Sequence, residues 1–284
     1  DYKDVHRKEI FIPQVNGFNV YKADLHTHTL YSDAQVLPKY RIREAWQDGL
    51  DIIAVTEHVE YRPVEEDLVK YLDKYTDKKR KEAVNHRIIS EAATKDGIMV
   101  DLNTAVQISQ KLAKSYGLTV IPGLEITRDA NEIGHFNALF TTDNNLIYDP
   151  DPYQAILNAK AQNAIIQHNH PGWRRTKLGF SEWQKKVYGE GLVDGVEVVN
   201  GDEIYPGIVD RCVQGGMYIT ANTDIHATTA ADYRVNGTDR PMTLIFAKDQ
   251  SLESVREALE AQRTLALAYN NLWGADQLLK DLFM

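Results

Sequence analysis

The stretch Ala23-Asp24-Leu25-His26-Thr27-His28-Thr29-Leu30-Tyr31-Ser32-Asp33 decides how the chain is read. Just upstream, Phe18-Asn19-Val20-Tyr21-Lys22-Ala23 alternates apolar and polar residues, the pattern of a half-buried strand. Side chains along a strand repeat their direction every second residue, so His26 and His28 share one face. Two imidazoles at a strand end are a ready pair of metal ligands. Asp33 follows in the loop, free to fold back towards them.

Working outward, strand and helix patterns alternate. A helix is predicted over Pro38 to Gly49, with Pro in its first turn and Gly at its end. Leu50 to Thr56 reads as a buried strand that runs into Glu57-His58. Residues 64–95 are highly charged and helix-rich, and His86 among them reads as a solvated histidine. Asn103 to Tyr116 is predicted helical. Strands follow at Leu118 to Ile126 and Gly134 to Phe140, a helix at Pro152 to Asn163, and a strand at Ala164 to Gln167. Further strands are expected at Gly195 to Asn200, Met217 to Ala221, Met242 to Phe246 and Thr264 to Ala268. Helices are expected at Tyr205 to Gln214 and about Ser251 to Gln262. About seven alternations argue for an α/β fold with a parallel sheet, open or closed into a barrel. No repeat or low-complexity linker interrupts it, so a single domain over 1–284, with 1–17 as an N-terminal extension, is the expectation.

The histidines follow this pattern. His26 and His28 end the first strand and His58 ends the second. Glu125 is near the end of the third. His170 follows the fifth, and Asp224 and His226 follow the seventh with the same spacing as the opening pair. Only His135 sits at a strand start. Strand C-terminal ends of an α/β barrel share one face, where active sites are built. Widely separated segments therefore deliver nitrogen and oxygen ligands to one place. Spacing alone permits either His168 or His170 as the ligand after the fifth strand.

Composition sets bounds. The chain has 284 residues, 43% hydrophobic and 26% charged, with a net charge of −9. A general nucleic-acid clamp is normally basic, so bulk DNA or RNA binding is disfavoured. The single cysteine, Cys212, excludes an internal disulfide and a cysteine-based zinc site. No apolar run approaches the ~20 residues of a membrane span. The chain starts at Asp1 rather than Met. An exported, periplasmic location after removal of a signal is therefore one expectation, and a cytoplasmic one the alternative.

Taken together, Asp24-Leu25-His26-Thr27-His28 through Asp33, Thr56-Glu57-His58, Pro122-Gly123-Leu124-Glu125, Gly134-His135-Phe136-Asn137, His170-Pro171-Gly172 and Thr223-Asp224-Ile225-His226 resemble, in order, the motifs of the PHP (polymerase and histidinol phosphatase) family of metal-dependent phosphoesterases. The resemblance covers about residues 20–270. It implies a distorted, TIM-like (β/α)7 barrel holding two or three divalent metals, Zn, Mn or Fe. The first metal would be held by His26, His28, Glu125 and Asp224. The second would be held by Glu125, as a bridge, with His135 and His170, and a third by Asp33, His58 and His226. Pro171 matches the motif beside His170 and favours it over His168. Departures are Glu57, where Asp is usual, Ala34, where Gly is commoner after Asp33, and Trp173, which intervenes before Arg174 and Arg175.

The expected reaction is attack on a phosphoester by a metal-bridging hydroxide. Glu125 would bridge metals, and His226, or His170 if a metal is absent there, would serve as proton donor. Arg128, Arg174 and Arg175 are candidates for binding phosphate oxygens, because the guanidinium fork matches phosphate geometry. The closing Arg256-Glu257-Ala258-Leu259, Arg263-Thr264-Leu265-Ala266 and Tyr269-Asn270-Asn271 stretches resemble stand-alone bacterial phosphodiesterases of the family, which favours a small-molecule phosphodiester as substrate. A phosphomonoesterase like the histidinol phosphatases and a nucleic-acid exonuclease are the alternatives. Cleavage of C–N bonds, as in amidohydrolases, is disfavoured because no Lys occupies the bridging position.

Overall fold

Residues Asn19–Asp24 form β1, and α1 (Pro38–Gln47), β2 (Ile52–Val55), α2 (Thr104–Ala113), β3 (Thr119–Thr127) and β4 (His135–Leu139) follow. Next come α3 (Pro152–Ala161), β5 (Ile165–Asn169), α4 (Glu182–Gly189), β6 (Gly195–Asn200), β7 (Glu203–Ile204), α5 (Val209–Gln214) and β8 (Tyr218–Asn222). The chain closes with β9 (Met242–Ala247), α6 (Leu252–Glu260), β10 (Thr264–Ala268), β11 (Asn271–Trp273) and α7 (Asp276–Phe283). This computed structural model describes residues 6–65, 67, 101–176 and 179–284. Most of the charged stretch 64–95, His86 included, lies outside the described residues.

The strands form one curled sheet in the order β11-β10-β9-β1-β2-β3-β4-β5-β6-β7, with β8 paired to β6. It is a distorted TIM-like barrel of the expected α/β class, but its sheet is mixed rather than parallel. β4 runs antiparallel to both β3 and β5, and β9 runs antiparallel to β1. A hairpin replaces the crossover between β3 and β4. Its turn is made by Asp129, whose carboxylate accepts from the backbone N–H of Asn131 and Glu132, and by Gly134 at φ +95°. The reversal explains the one histidine at a strand start. His135 opens β4 opposite Thr127 at the end of β3 and Asn169 at the end of β5.

Strand periodicity sets the core. In β2, Ile53 and Val55 pack with Ile42 and Ala45 of α1 and Ala105 and Val106 of α2. Their neighbours Ile52 and Ala54 face the other way and pack with Leu25, Ile121, Leu139 and Tyr218.

The barrel closes between β8 and β1. The Asp224 N–H donates to His26 O at 2.9 Å, and Thr27 bridges to Ile225. Lower down, threonine hydroxyls stand in for a backbone ladder between β8 and its neighbours. Thr243 Oγ1 accepts from Ala221 N–H and donates to Ala221 O, both at 3.0 Å. Thr264 Oγ1 does the same for Ile219. All four residues are buried, so a lost hydroxyl leaves backbone groups without water or partner. Thr243→Val is expected to destabilise the fold by about 1–3 kcal/mol in urea unfolding, and Thr243→Ser to keep most of that stability. An unchanged midpoint in the valine variant would show that the seam does not depend on this hydroxyl.

Candidate metal centre

Glu125, fully buried near the end of β3, sits among five imidazoles. Its Oε1 lies 3.4 Å from His26 Nε2, 3.3 Å from His135 Nδ1 and 3.6 Å from His170 Nε2. Its Oε2 lies 2.5 Å from His58 Nδ1 and 3.8 Å from His28 Nε2. Asp224, just past β8, adds a second carboxylate, with Oδ1 3.2 Å from His26 Nε2 and 2.9 Å from His28 Nε2. On the outer side, Asp33 Oδ1 lies 3.1 Å from His226 Nε2 and 3.5 Å from His58 Nε2. Every metal ligand expected from the sequence therefore converges on one end of the barrel.

The ligand atoms group as His26, His28 and Glu125; as Glu125, His135 and His170; and as His28, Asp33, His58 and His226, each set within 4.8 Å. His26 Nε2, His28 Nε2, Asp33 Oδ1, His135 Nδ1 and Asp224 Oδ1 are buried without a hydrogen-bond partner. Five such atoms aimed at one another carry a large desolvation cost unless a cation takes their lone pairs. The donor set, imidazole and carboxylate without sulfur, fits divalent Zn, Mn or Fe.

Two ligand positions are strained. His170 has φ +25° and Asp224 φ +52°, left-handed conformations that non-glycine residues rarely adopt. The surrounding bonds hold both in place. His170 N–H donates to Glu197 Oε2 at 2.8 Å, and the Asp224 N–H is tied to His26 O as above.

The electrostatics follow from burial and crowding. Burial, reinforced by His58 and His226, pulls His28 down to about 3. Burial also opposes the charged form of His26, but Asp224, Glu197 and Glu125 outweigh it and raise its pKa well above the usual histidine value. His226 is pushed up to about 9, since Asp33 and Asp224 overcome its burial. Burial alone would raise Glu125, yet His58, His26 and His135 hold it well below the usual carboxylate range.

Behind the ligands stands a layer that the sequence reading missed. Glu197, fully buried in β6, lies 3.1 Å from His26 Nδ1 and also accepts from Asn222 and Asn200. A carboxylate on the back nitrogen of a ligating imidazole fixes its tautomer and orientation. An acidic residue inside the apolar run Gly195–Asn200 was the available signal. Asp24 accepts from the backbone N–H of both His26 and Thr223, and it is paired with buried Arg240. Arg41 donates to the carbonyls of His28, Ile225 and Ala227, clamping the two ligand loops together. Glu57 turns away from the imidazoles. It accepts from Thr29 N–H and from the hydroxyls of Thr29 and Ser32, and so shapes the loop that carries Asp33.

His168 and His170 separate cleanly. His170 faces Glu125, whereas His168 stacks on Phe136 and lies 2.7 Å from the Tyr188 hydroxyl. Asp33, His58, His135, His170, Asp224 and His226 open onto a cleft of about 970 Å³ that is also lined by Tyr61, Arg128, Trp173 and Arg174. Arg128 is held there by the Asp149 and Pro150 carbonyls and by Glu60 at 2.8 Å. Arg175 points elsewhere, donating to Gln184 and to Gly179 O. Among the described residues no helix is long and apolar enough to cross a membrane.

The geometry has counterparts among known proteins. A family model described as the PHP domain matches residues 24–222. No curated protein matches the chain. A two-domain protein of Bacteroides vulgatus, described as containing a predicted PHP-like metal-dependent phosphoesterase, is 33% identical, and the match covers 98% of this chain and 73% of that one with a TM-score of 0.83. PsfC of Pseudomonas syringae is 16% identical over 94% of this chain and 96% of its own, with a TM-score of 0.49. A lesion-specific endonuclease of Pyrococcus furiosus, PfuEndoQ, is 16% identical over 85% of this chain and 56% of its own, with a TM-score of 0.46. Matched by the family model over most of its length, and 33% identical to the Bacteroides protein over 98% of its own residues, the chain belongs to the PHP domain family.

Proposed function

We propose that the chain is a metal-dependent phosphoesterase that hydrolyses small-molecule phosphodiesters. The observation that carries this reading is Glu125, a fully buried carboxylate surrounded by imidazoles, of which His26 Nε2, His28 Nε2 and His135 Nδ1 are buried without a hydrogen-bond partner. Family membership supports the same reaction class. In this reading His26, His28, Glu125 and Asp224 hold one divalent metal, and Glu125, His135 and His170 a second. Asp33, His58 and His226 hold a third. Metals bound there would neutralise phosphoryl oxygens and lower the pKa of a water to roughly 7.

The chain's own groups do the rest. Glu125 is kept ionised by its neighbours; it would be shared by the first two metals and would not serve as a base. Arg128, immobilised by two carbonyls and Glu60, presents guanidinium charge to the cleft at no further ordering cost. Arg174, which also lines the cleft, offers a second fork for non-bridging oxygens. When the third position is empty, His226, which lines the cleft, would be the group to give a proton to the leaving ester oxygen. The cleft has room for both arms of a diester, and a net charge of −9 opposes extended nucleic acid.

With Mn or Zn supplied, the protein is expected to cleave bis-p-nitrophenyl phosphate faster than p-nitrophenyl phosphate. His28→Ala and Asp224→Ala should each lower that rate at least ~100-fold. Preference for the monoester would move the assignment to a phosphatase, and full rates in both variants would remove the metal centre from the reaction.

The pH dependence has a definite sign. His26, His58, His170 and His226 have raised pKa values in the metal-free protein. Each holds its proton to higher pH than a free imidazole does, and a metal must displace that proton. Metal affinity should therefore rise with pH, and the rise should extend at least to the His226 value of about 9. Calorimetric titration in buffers of different ionisation enthalpy should show net proton release at pH 7. Binding without proton release would contradict the ligand set.

A further inference from the structure

Three of the four tryptophans, Trp46, Trp183 and Trp273, pack against the hydrophobic core. Trp173 is the exception. It is half-buried on the wall of the cleft, with its ring centroid 5.2 Å from that of His170 and 5.3 Å from that of His135. The Arg174 guanidinium lies 4.5 Å over the same ring. A large apolar side chain stabilises a fold through the area it removes from water, and an indole left at a cleft wall gives up part of that gain. Core packing therefore does not account for a tryptophan here.

The loop beneath it is nonetheless closely built. A Cβ on Gly172 would stand 2.5 Å from Tyr205 Cε1, so the glycine lets the Tyr205 ring brace the backbone. The Trp173 N–H donates to His170 O at 2.9 Å, and Arg174 has φ +50°. The backbone that carries the indole is thus tied to His170, a proposed ligand three residues upstream. On the other side of the cluster Tyr61, 54% exposed, sets its ring 6.0 Å from that of His58. Each outer group of imidazoles has an aromatic ring beside it, facing the cleft. A tetrahedral phosphodiester sends its two ester arms in different directions, so an arm leaving past His135 and His170 meets the indole.

We propose that Trp173 is a specificity-determining residue: it selects phosphoesters bearing a planar aromatic group, which stacks on the indole beside His135 and His170, while Arg174 supplies charge to the adjoining phosphate. This rests on the phosphoesterase reading above. Stacking and edge-to-face pairing prefer planar partners, so the discrimination is between aryl and alkyl esters of equal charge.

The test uses the Mn-loaded protein and two probes that it does not cleave, phenylphosphonate and methylphosphonate, followed by calorimetry. The wild type is expected to bind the phenyl compound about tenfold more tightly. Trp173→Leu, which keeps apolar bulk without a ring, should bring that ratio close to one, and Trp173→Phe should keep most of it. A ratio near one in the wild type, or an unchanged ratio in Trp173→Leu, overturns the proposal. Failure of the parent reading looks different: bis-p-nitrophenyl phosphate stays intact while the phenyl preference and its loss in Trp173→Leu persist.

Discussion

A carboxylate buried inside a barrel is costly, and Glu125 is tolerable only because of what surrounds it. Removing one charge from water costs several kcal/mol even after relaxation. Here five imidazoles approach its two oxygens, and His58, His26 and His135 hold it ionised. The imidazoles are themselves crowded. His28 is forced neutral while His26 and His226 are pushed towards the charged form. Such a set balances poorly by itself, with lone pairs facing lone pairs, and a divalent cation resolves that conflict by taking them together.

The rest of the fold serves to keep these groups in place. The β3–β4 hairpin turns His135 towards the common end of the barrel. Arg41 and the Asp24–Arg240 pair tie the loop after β1 to the loop after β8, so the opening His-x-His pair and the Asp224-x-His226 pair are held by the same clamps. Glu197 fixes His26 from behind and accepts from the strained His170 backbone. Charged groups thus occupy the interior in mutually paired sets, which is how a barrel with an apolar lower half carries so polar an upper end.

The site was more legible in the sequence than its support. Ligand side chains are few, chemically distinctive and placed at strand ends, so spacing and motif order reveal them. His135 looked anomalous only because alternation suggests parallel strands; the connection from Ile126 to Gly134 is too short for a crossover, and that shortness was the available signal for a hairpin. The contacts behind the ligands join residues far apart, such as His26 with Glu197 and Asp24 with Arg240, and pairing at that range depends on how the barrel closes. Helix α4 carried a readable signal that was passed over, since Ser181 and Gln184 form a capping box. Arg128, Arg174 and Arg175 looked alike in sequence. Their separation into cleft-facing and helix-facing residues depends on the course of loops that follow no periodicity.

The account stands most directly on the metal content of the purified protein, measured by elemental analysis against protein concentration. Two or three divalent metals per chain are expected, falling to about half or less in His28→Ala and Asp224→Ala, since these residues share positions with Glu125. Fewer than one metal per chain in a protein that still hydrolyses phosphoesters would contradict it.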